Sequence, residues 1–299
     1  MVIRIRPCRG AARTAVLFVL STLLISGLSA CEEDVTAVVG TELSYSIYGV
    51  ISPQLDSQWV RVYPIEARLI PARPELLDAT VASTDFVTGE RYEWRDSVIV
   101  DFADQYAHVF WAPFQAQYAH TYRIEVRRSD GASASAEVTV PRESEVTLQA
   151  PKIRVGEVIL PVLIPGDIPR VLAVEVDYVV AYRPLIATEN VTGRVIIPYY
   201  TEPHAVNEGW LIPINLRKDF NVVNATIVKE LVESINSGVG IILLNMTVRL
   251  IVGDKNWNPP NGRFDPELIV QPGVMTNVVG GFGFVGAGYR LHRQWVPPK

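Results

Sequence analysis

The stretch that decides the fold is Thr121-Tyr122-Arg123-Ile124-Glu125-Val126-Arg127-Arg128-Ser129-Asp130-Gly131-Ala132-Ser133-Ala134-Ser135-Ala136-Glu137-Val138-Thr139-Val140-Pro141. Apolar residues take every second position within 122–126 and again within 132–140. This period of two is typical of strands that bury one face. Asp130-Gly131 separates the two runs, and such a pair tolerates the positive φ of a tight turn. The stretch therefore predicts an antiparallel β-hairpin.

The hairpin resembles the last two strands of a fibronectin type III or immunoglobulin-like module. Together with the residues before it, it fits a β-sandwich over 38–141, which is the usual length of such a module. The resemblance implies that Tyr122 is the corner tyrosine of these modules. The alternative is that Tyr122 simply packs on its strand.

A second β-region is predicted after the short junction that begins at Pro141. Apolar residues alternate through 172–182 and 242–252, which favours a second antiparallel sheet over 145–292, followed by a tail at 293–299. From Asn224 to Asn236 they recur at helical spacing, so we expect one amphipathic helix over about 224–236, capped by Asn224. The predicted fold class is mainly β, with an immunoglobulin/fibronectin III-like sandwich followed by a larger β-domain that carries one α-helix.

The N-terminus has the layout of a secretory signal, with four arginines ahead of an apolar stretch at 15–28. This stretch is shorter than the 20 or so residues that a spanning helix needs, although a membrane anchor is the alternative. It ends in Leu28-Ser29-Ala30-Cys31, which resembles the lipobox of bacterial lipoproteins. The resemblance implies that residues 1–30 are removed and that Cys31 becomes an acylated first residue.

Removal of the signal would change the charge and the thiol content. The chain has 27 basic and 32 acidic residues and a net charge of −5. The signal contains four Arg and no acid, so the net charge of the mature chain becomes −9. Cys8 is lost with it and Cys31 is acylated, which excludes cysteine nucleophiles, cysteine metal sites and disulfides. An acidic protein has no electrostatic basis for binding nucleic acid, so we expect none as a partner.

Three acids, Glu32, Glu33 and Asp34, follow Cys31 within a predicted tether at 31–37. Acidic residues in this place resemble the surface-export signal of Bacteroidota lipoproteins, and a solvated tether is the alternative. The expected location is the outer membrane, where the protein is held by its acyl chains and faces the cell exterior. The periplasmic face remains open as the second location.

The C-terminal run Thr276-Asn277-Val278-Val279-Gly280-Gly281-Phe282-Gly283-Phe284-Val285-Gly286-Ala287 mixes glycine with aromatic residues. It predicts a kinked strand, because glycine permits bulges and close backbone approach. The run resembles the closing motif of the domain-of-unknown-function 4249 family of Bacteroidota outer-membrane lipoproteins. This family has no established catalytic residues, and the resemblance implies a cell-surface protein that is sometimes associated with outer-membrane transporters.

Candidate ligand residues lie in the polar loop at 253–265. Asp254, Asn256 and Asn258 alternate like the start of a calcium loop, but the Gly-x5-Glu ending is absent, so the calcium hypothesis is weak. Trp257 and Phe264 are predicted ligand contacts, because exposed aromatic rings offer contact area at small entropic cost. Packing of Trp257 onto the sandwich is the alternative.

No nucleophile, metal or phosphate motif is present in the sequence, and we expect no cofactor and no catalytic residue. The leading hypothesis is therefore a lipid-anchored binding or interaction protein whose partner is a glycan, a peptide or an outer-membrane transporter. Abundant Asp and Glu leave a surface polysaccharide hydrolase with paired carboxylates as an alternative. A structural spacer is the third hypothesis.

Overall fold

The computed structural model describes residues 43–65, 74–100, 106–183, 189–199, 204–207, 209–231, 241–258 and 276–297. All of them belong to one compact unit of the chain. The predicted signal peptide, Cys31, the acidic residues 32–34 and Phe264 lie outside the described residues.

The described residues form mainly β-structure with one helix, which confirms the predicted fold class. The strands are β1 (Tyr45–Ile51), β2 (Gln58–Pro64), β3 (Thr80–Asp85), β4 (Arg91–Glu93), β5 (Arg95–Val100), β6 (Tyr106–Ala112), β7 (Thr121–Arg127), β8 (Ser133–Thr139), β9 (Thr147–Leu148), β10 (Lys152–Arg154), β11 (Glu157–Pro165), β12 (Arg170–Tyr182), β13 (Val191–Tyr199), β14 (His204–Val206), β15 (Gly209–Asn215), β16 (Ile241–Gly253), β17 (Val278–Val279) and β18 (Gly281–Trp295). The helix, α1, spans Leu216–Leu231 and lies between β15 and β16.

The predicted hairpin is the pair β7 and β8, which are antiparallel with Thr121 opposite Thr139. Gly131 has a φ of 91° in the connecting turn, as the turn prediction requires. The alternating apolar residues point into the core. The hydroxyl of Tyr122 accepts a hydrogen bond of 2.8 Å from the backbone N–H of Gln117, five residues upstream. This is the bond of a tyrosine corner, so Tyr122 does more than pack on its strand.

The first sandwich packs β1, β2, β5, β6 and the start of β18 against the sheet β17-β8-β7-β3-β4. Its core combines the apolar faces of both sheets. The largest fully buried side chains of this core are those of Tyr45, Ile47, Ile51, Tyr122 and Ile124.

The second sandwich packs β13, β12, β16 and the end of β18 against β10, β11, β15, β14 and β9. Helix α1 contacts β11 and β13 and adds Val223 and Ile227 to this core. The helix begins at Leu216 rather than at the predicted Asn224. Its cap is Asn215, whose Oδ1 accepts the backbone N–H of Lys218 at 3.1 Å. Because Val223 continues the apolar face of Ile227 toward the N-terminus, the helix extends back to the end of β15.

Strand β18 joins the two sandwiches. Its residues 281–287 pair in parallel with β1, and its residues 288–295 pair antiparallel with β16. The sequence prediction placed all of 145–292 in the second domain, whereas Val285 and Ala287 lie in the core of the first. The glycine run permits this pairing: Gly283 has a φ of 107°, and a Cβ there would lie 2.2 Å from the carbonyl oxygen of Ile47.

The result is one eight-stranded sheet, in the order β13-β12-β16-β18-β1-β2-β6-β5, which contributes to both cores. One side of this sheet faces the cores. We call the other side the outer face. Within the described residues, no helix is long and apolar enough to cross a membrane.

Candidate binding face

The outer face carries two tryptophans on neighbouring strands. Trp59 of β2 lies directly opposite Trp111 of β6. Val60 and Phe110 form the next pair along these strands and are buried in the core. Successive side chains of a strand point to opposite sides of the sheet, so both indoles lie on the outer face. Trp59 is 49% exposed, which is unusual for so large an apolar side chain.

Further aromatic and basic side chains surround this pair. Arg95 lies opposite Trp111 on β5, and its guanidinium is 5.7 Å from the centre of the Trp111 ring system. Arg61 lies over Tyr63 at 4.4 Å from the ring centroid. Both distances are within the range of cation–π contacts. We call this set the aromatic patch; its members are Tyr48, Trp59, Arg61, Tyr63, Arg95 and Trp111.

The charged residues at the outer-face positions of the described strands in the aromatic patch are basic. Arg61 and Arg95 supply two positive charges. The registers of β1, β2, β5 and β6 place no carboxylate at an outer-face position of these described strands. Asp96 lies on β5 but is opposite Phe110, on the core side.

A charged depression of about 390 Å³ lies farther along the same face, over β12, β16 and β18. Beside it, the carboxylate of Asp177 accepts two hydrogen bonds from Arg194, at 2.6 and 2.7 Å, and one from Arg249 at 2.6 Å. Asp177 is only 4% exposed, because the two arginines cover it. The charged and polar residues that line the depression are Glu175, Arg249, Arg290 and His292.

Trp257, a predicted ligand contact, is buried beside Tyr48 and Leu172. It is 8% exposed and packs edge-on against Phe284, with ring centroids 4.7 Å apart. Its indole N–H donates to the carbonyl oxygen of Ala287 at 3.1 Å. The structure thus agrees with the packing alternative for Trp257. Phe264, the other predicted contact, lies outside the described residues.

The weak calcium candidate has the bonding of a structural clasp. Asp254 is 1% exposed, and its carboxylate accepts hydrogen bonds from the backbone N–H of Asn256 at 3.2 Å and from its side-chain amide at 3.0 Å. The Asn256 amide also donates to the carbonyl oxygen of Glu137 on β8, and Asn258 Oδ1 accepts from Arg170. N–H donors thus occupy the side-chain oxygens of Asp254 and Asn258 that a cation would need.

Burial favours the protonated form of the Asp254 carboxyl group. Burial raises the pKa of Asp254 to about 7, although the hydrogen bonds from backbone N–H groups act in the opposite direction. Within the described ranges there is no group of three or more His, Cys, Asp or Glu residues that could hold a metal ion.

The other buried carboxylates also hold structural partners. Asp85 binds His120 Nδ1 at 2.7 Å. Burial tends to raise the pKa of Asp85, but the bonds from His120 and the backbone outweigh it and leave the pKa below its usual value. Asp219 accepts the hydroxyl hydrogens of Tyr178 and Tyr199, and burial raises its pKa. These contacts join β-strands, turns and α1 to one another, so each of these carboxylates has a structural role.

Sequence reasoning did not identify the aromatic patch. The signal was present in Gln58-Trp59-Val60-Arg61-Val62-Tyr63, where the valines alternate with Trp, Arg and Tyr. That pattern describes a strand whose second face is aromatic and basic. The alignment of Trp59 with Trp111 needs the strand register, which local alternation does not specify.

Comparisons with known proteins add no assignment: no family model matches the sequence, and a search of curated proteins gives no match. The resemblance to the domain-of-unknown-function 4249 family therefore stays a prediction from residues 276–287.

Proposed function

We propose that the protein is a lipid-anchored outer-membrane lipoprotein that binds a glycan at the cell surface and does not transform it. The observation that carries the proposal is the pair formed on the outer face by the exposed Trp59 and the partly buried Trp111. Two large rings lie opposite each other on neighbouring, hydrogen-bonded strands. A pair of this kind is suited to the broad, apolar faces of successive sugar rings.

An indole has only two rotatable side-chain bonds, so it offers a large contact area at small entropic cost. Trp111 is further restrained by the neighbouring guanidinium of Arg95. The strands that carry both rings are paired along their length, so the rings are placed before a ligand arrives. Pre-organisation of this kind reduces the free energy spent on ordering during binding.

The anchoring part of the proposal rests on the sequence. Cys31, at the end of the predicted signal, would carry the acyl chains, and Glu32, Glu33 and Asp34 would direct export. Residues 31–42 precede β1 and would connect the lipid to the first sandwich. A protein held in this way keeps a captured polymer close to the cell, which is useful without any turnover.

The test is retention of polysaccharides by the purified full-length protein in detergent. A panel of neutral and acidic polysaccharides is immobilised, and retention is compared for wild type, Trp59→Ala and Trp111→Ala. Phe86→Ala is the matched control, because Phe86 is 51% exposed and lies outside the aromatic patch. We expect at least one glycan to be retained by wild type and by the control and to be lost from both tryptophan variants.

Two results would overturn the proposal. The first is that no glycan of the panel is retained by wild type, which favours the spacer hypothesis or a protein partner. The second is unchanged retention by both tryptophan variants. Turnover of a retained glycan, abolished by one Asp or Glu substitution, would replace the binding proposal with the hydrolase alternative.

A further inference from the structure

We infer that the protein docks onto an anionic lipid surface through the tip of the hairpin that β10 and β11 form. We call residues 151–157 the tip. The tip belongs to the second sandwich, so it shares no residue with the aromatic patch. The inference therefore goes beyond the proposed glycan site and adds a second surface with a different partner. It is carried by two highly exposed apolar side chains and by the charges around them.

The tip extends past the buried part of its sandwich. On β11 the side chain of Leu160 is fully buried in the second core, whereas Val158 is only partly buried. Ile153 lies opposite Val158 and is 83% exposed, and Val155 is 105% exposed. Every residue of 151–157 is exposed. Two β-branched apolar side chains thus project into solvent at the end of a hairpin.

The turn places Val155 at the outermost point of the tip. Arg154 pairs with Glu157, so Val155 and Gly156 are the two residues of the connecting loop. Gly156 has a φ of 81°, which a two-residue hairpin turn can use. Neither Val155 nor Ile153 belongs to a core cluster of its sandwich. Two such residues together on one projecting tip are the arrangement expected of an interaction site.

The tip has an apolar side and a charged side. Successive side chains of a strand point to opposite sides of the sheet. Ile153 and Val158 are a cross-strand pair on the side that continues the core face of Leu160. Lys152 and Arg154 therefore point to the other side. An apolar side next to a cationic side suits a membrane interface, where acyl chains lie beneath charged headgroups.

The charges around the tip are mainly positive. Ile159, at the base of the tip, lies opposite Lys152 on one side and opposite Asn215 on the other, which brings the start of α1 next to the hairpin. Arg217 and Lys218 follow in the first turn of α1 and are exposed. Residues 151–157 and 216–219 together contain four cations and two acids.

The two acids offset part of this charge. Glu157 is the cross-strand neighbour of Arg154, and its carboxylate accepts a hydrogen bond of 3.5 Å from the Asn215 amide. Asp219 is buried, and its charge acts on the adjacent Lys218. Two positive charges remain in excess at this end of a chain whose net charge is −5. A local field of this sign attracts the phosphates of anionic lipids.

A lipid surface fits the tip better than a second protein does. A protein–protein interface of standard size buries about 1,600 Å², far more than two projecting side chains offer. The anchor predicted at Cys31 would already hold the protein at a membrane. Docking of the tip is then an intramolecular step at a high effective concentration, for which a small contact is sufficient. An acyl anchor is itself strengthened by a second membrane contact.

The experiment measures the depth of the tip in a membrane. Full-length protein is reconstituted into vesicles of phosphatidylcholine, alone or mixed with phosphatidylglycerol. A nitrobenzoxadiazole fluorophore is attached at Val155→Cys, and its quenching by lipids with brominated acyl chains is recorded. Leu76→Cys is the control, because Leu76 is as exposed as Ile153 but lies in the first sandwich. Protein without an introduced cysteine gives the background. We expect quenching at position 155 in the mixed vesicles and none at position 76.

Further variants, made in the labelled protein, test the contribution of charge. Lys152→Gln/Arg154→Gln should lower the ratio of docked to undocked tip in the mixed vesicles by about an order of magnitude. Arg127→Gln/Arg128→Gln, in the β7–β8 hairpin, is the matched control and should leave the quenching unchanged. Ile153→Asp should reduce the quenching, and added salt should reduce it as well. Circular dichroism melting confirms that each variant is folded.

The inference fails on any of three results. The first is an absence of quenching at position 155 in vesicles that contain phosphatidylglycerol. The second is quenching that is equal with and without phosphatidylglycerol and in both charge variants, which shows insertion of the fluorophore alone. The third is a blue-shifted emission in detergent that grows with protein concentration, which assigns the tip to contacts between copies. Retention of glycans through Trp59 is measured separately, so the proposed function stands or falls independently.

Discussion

The indole of Trp257 occupies the space that a side chain at position 286 would fill. A Cβ at Gly286 would lie 2.5 Å from the Trp257 Nε1. Gly286 is in β18, at the point where this strand passes from the first sandwich to the second. Trp257 thereby holds residues 254–258 against the shared strand, in a small cluster with Phe284 that is separate from the two cores.

Gly286→Ala should therefore destabilise the protein. We expect the free energy of unfolding to fall by about 1–3 kcal/mol, because the added methyl group overpacks a filled site. Urea unfolding followed by tryptophan fluorescence measures the change, and Val279→Ala, at an exposed position of β17, is the control. The double variant Gly286→Ala/Trp257→Phe should recover part of the loss relative to Trp257→Phe alone. If the two substitutions change the free energy of unfolding additively, the contact between position 286 and the Trp257 indole is contradicted.

The clasp of Asp254 predicts a pH dependence of stability. Its pKa is raised by burial from 3.8 to about 7, so between these values the folded state binds a proton more strongly than the unfolded state. The free energy of unfolding should then decrease as the pH rises from about 4 to about 7 and level off above, with a total contribution of about 2–4 kcal/mol.

The measurement for Asp254 is urea unfolding at several pH values between 4.5 and 8 for wild type and Asp254→Asn. The stability of wild type relative to the variant should fall as the pH rises, because only wild type carries the carboxyl group. Asp130→Asn, at an exposed position in the hairpin turn, serves as the control. If the difference in the free energy of unfolding between wild type and Asp254→Asn does not change with pH, the raised pKa of Asp254 is contradicted.

Helix α1 is joined to the second sandwich by Asp219, which accepts hydrogen bonds from the hydroxyls of Tyr178 and Tyr199. Removing one hydroxyl leaves a buried carboxylate with fewer donors. Tyr199→Phe should lower the free energy of unfolding by about 1–3 kcal/mol. Tyr106→Phe, at an exposed position of β6, should have little effect. Equal stability of the two variants by urea unfolding would show that the Asp219 contact contributes nothing.

Cys31→Ser tests the predicted anchor. Without the thiol, acylation is lost, so the variant should no longer incorporate a radiolabelled fatty acid and should leave the membrane fraction after carbonate washing. Substituting Glu32, Glu33 and Asp34 together with Ala should keep the protein acylated but remove it from the cell surface, as measured by protease shaving of intact cells. Acylation of Cys31→Ser, or unchanged surface exposure of the triple variant, would contradict the respective prediction.

The sequence predicts correctly those elements whose pattern lies within one short stretch of the chain. The hairpin β7–β8 was predicted because alternation and the Asp130-Gly131 turn both lie within one short stretch, and the fold class followed from similar runs. The start of α1 was missed because its first turn, from Leu216, follows a strand without a break and its cap is Asn215. The sequence leaves open whether Trp257 contacts a ligand or packs onto the sandwich, because the exposure of a side chain cannot be read from the sequence of a loop.

The sequence by itself therefore determined the alternating apolar faces, the turns and the N-terminal features that predict anchoring at Cys31. Tertiary structure decided that β18 belongs to both sandwiches, with its glycine run beside β1. It also decided that Trp59 and Trp111 form a pair on an exposed face. The physical reason is that burial of one face is encoded along each strand, whereas strand order and register arise from packing between distant segments. The outer face is the product of that register.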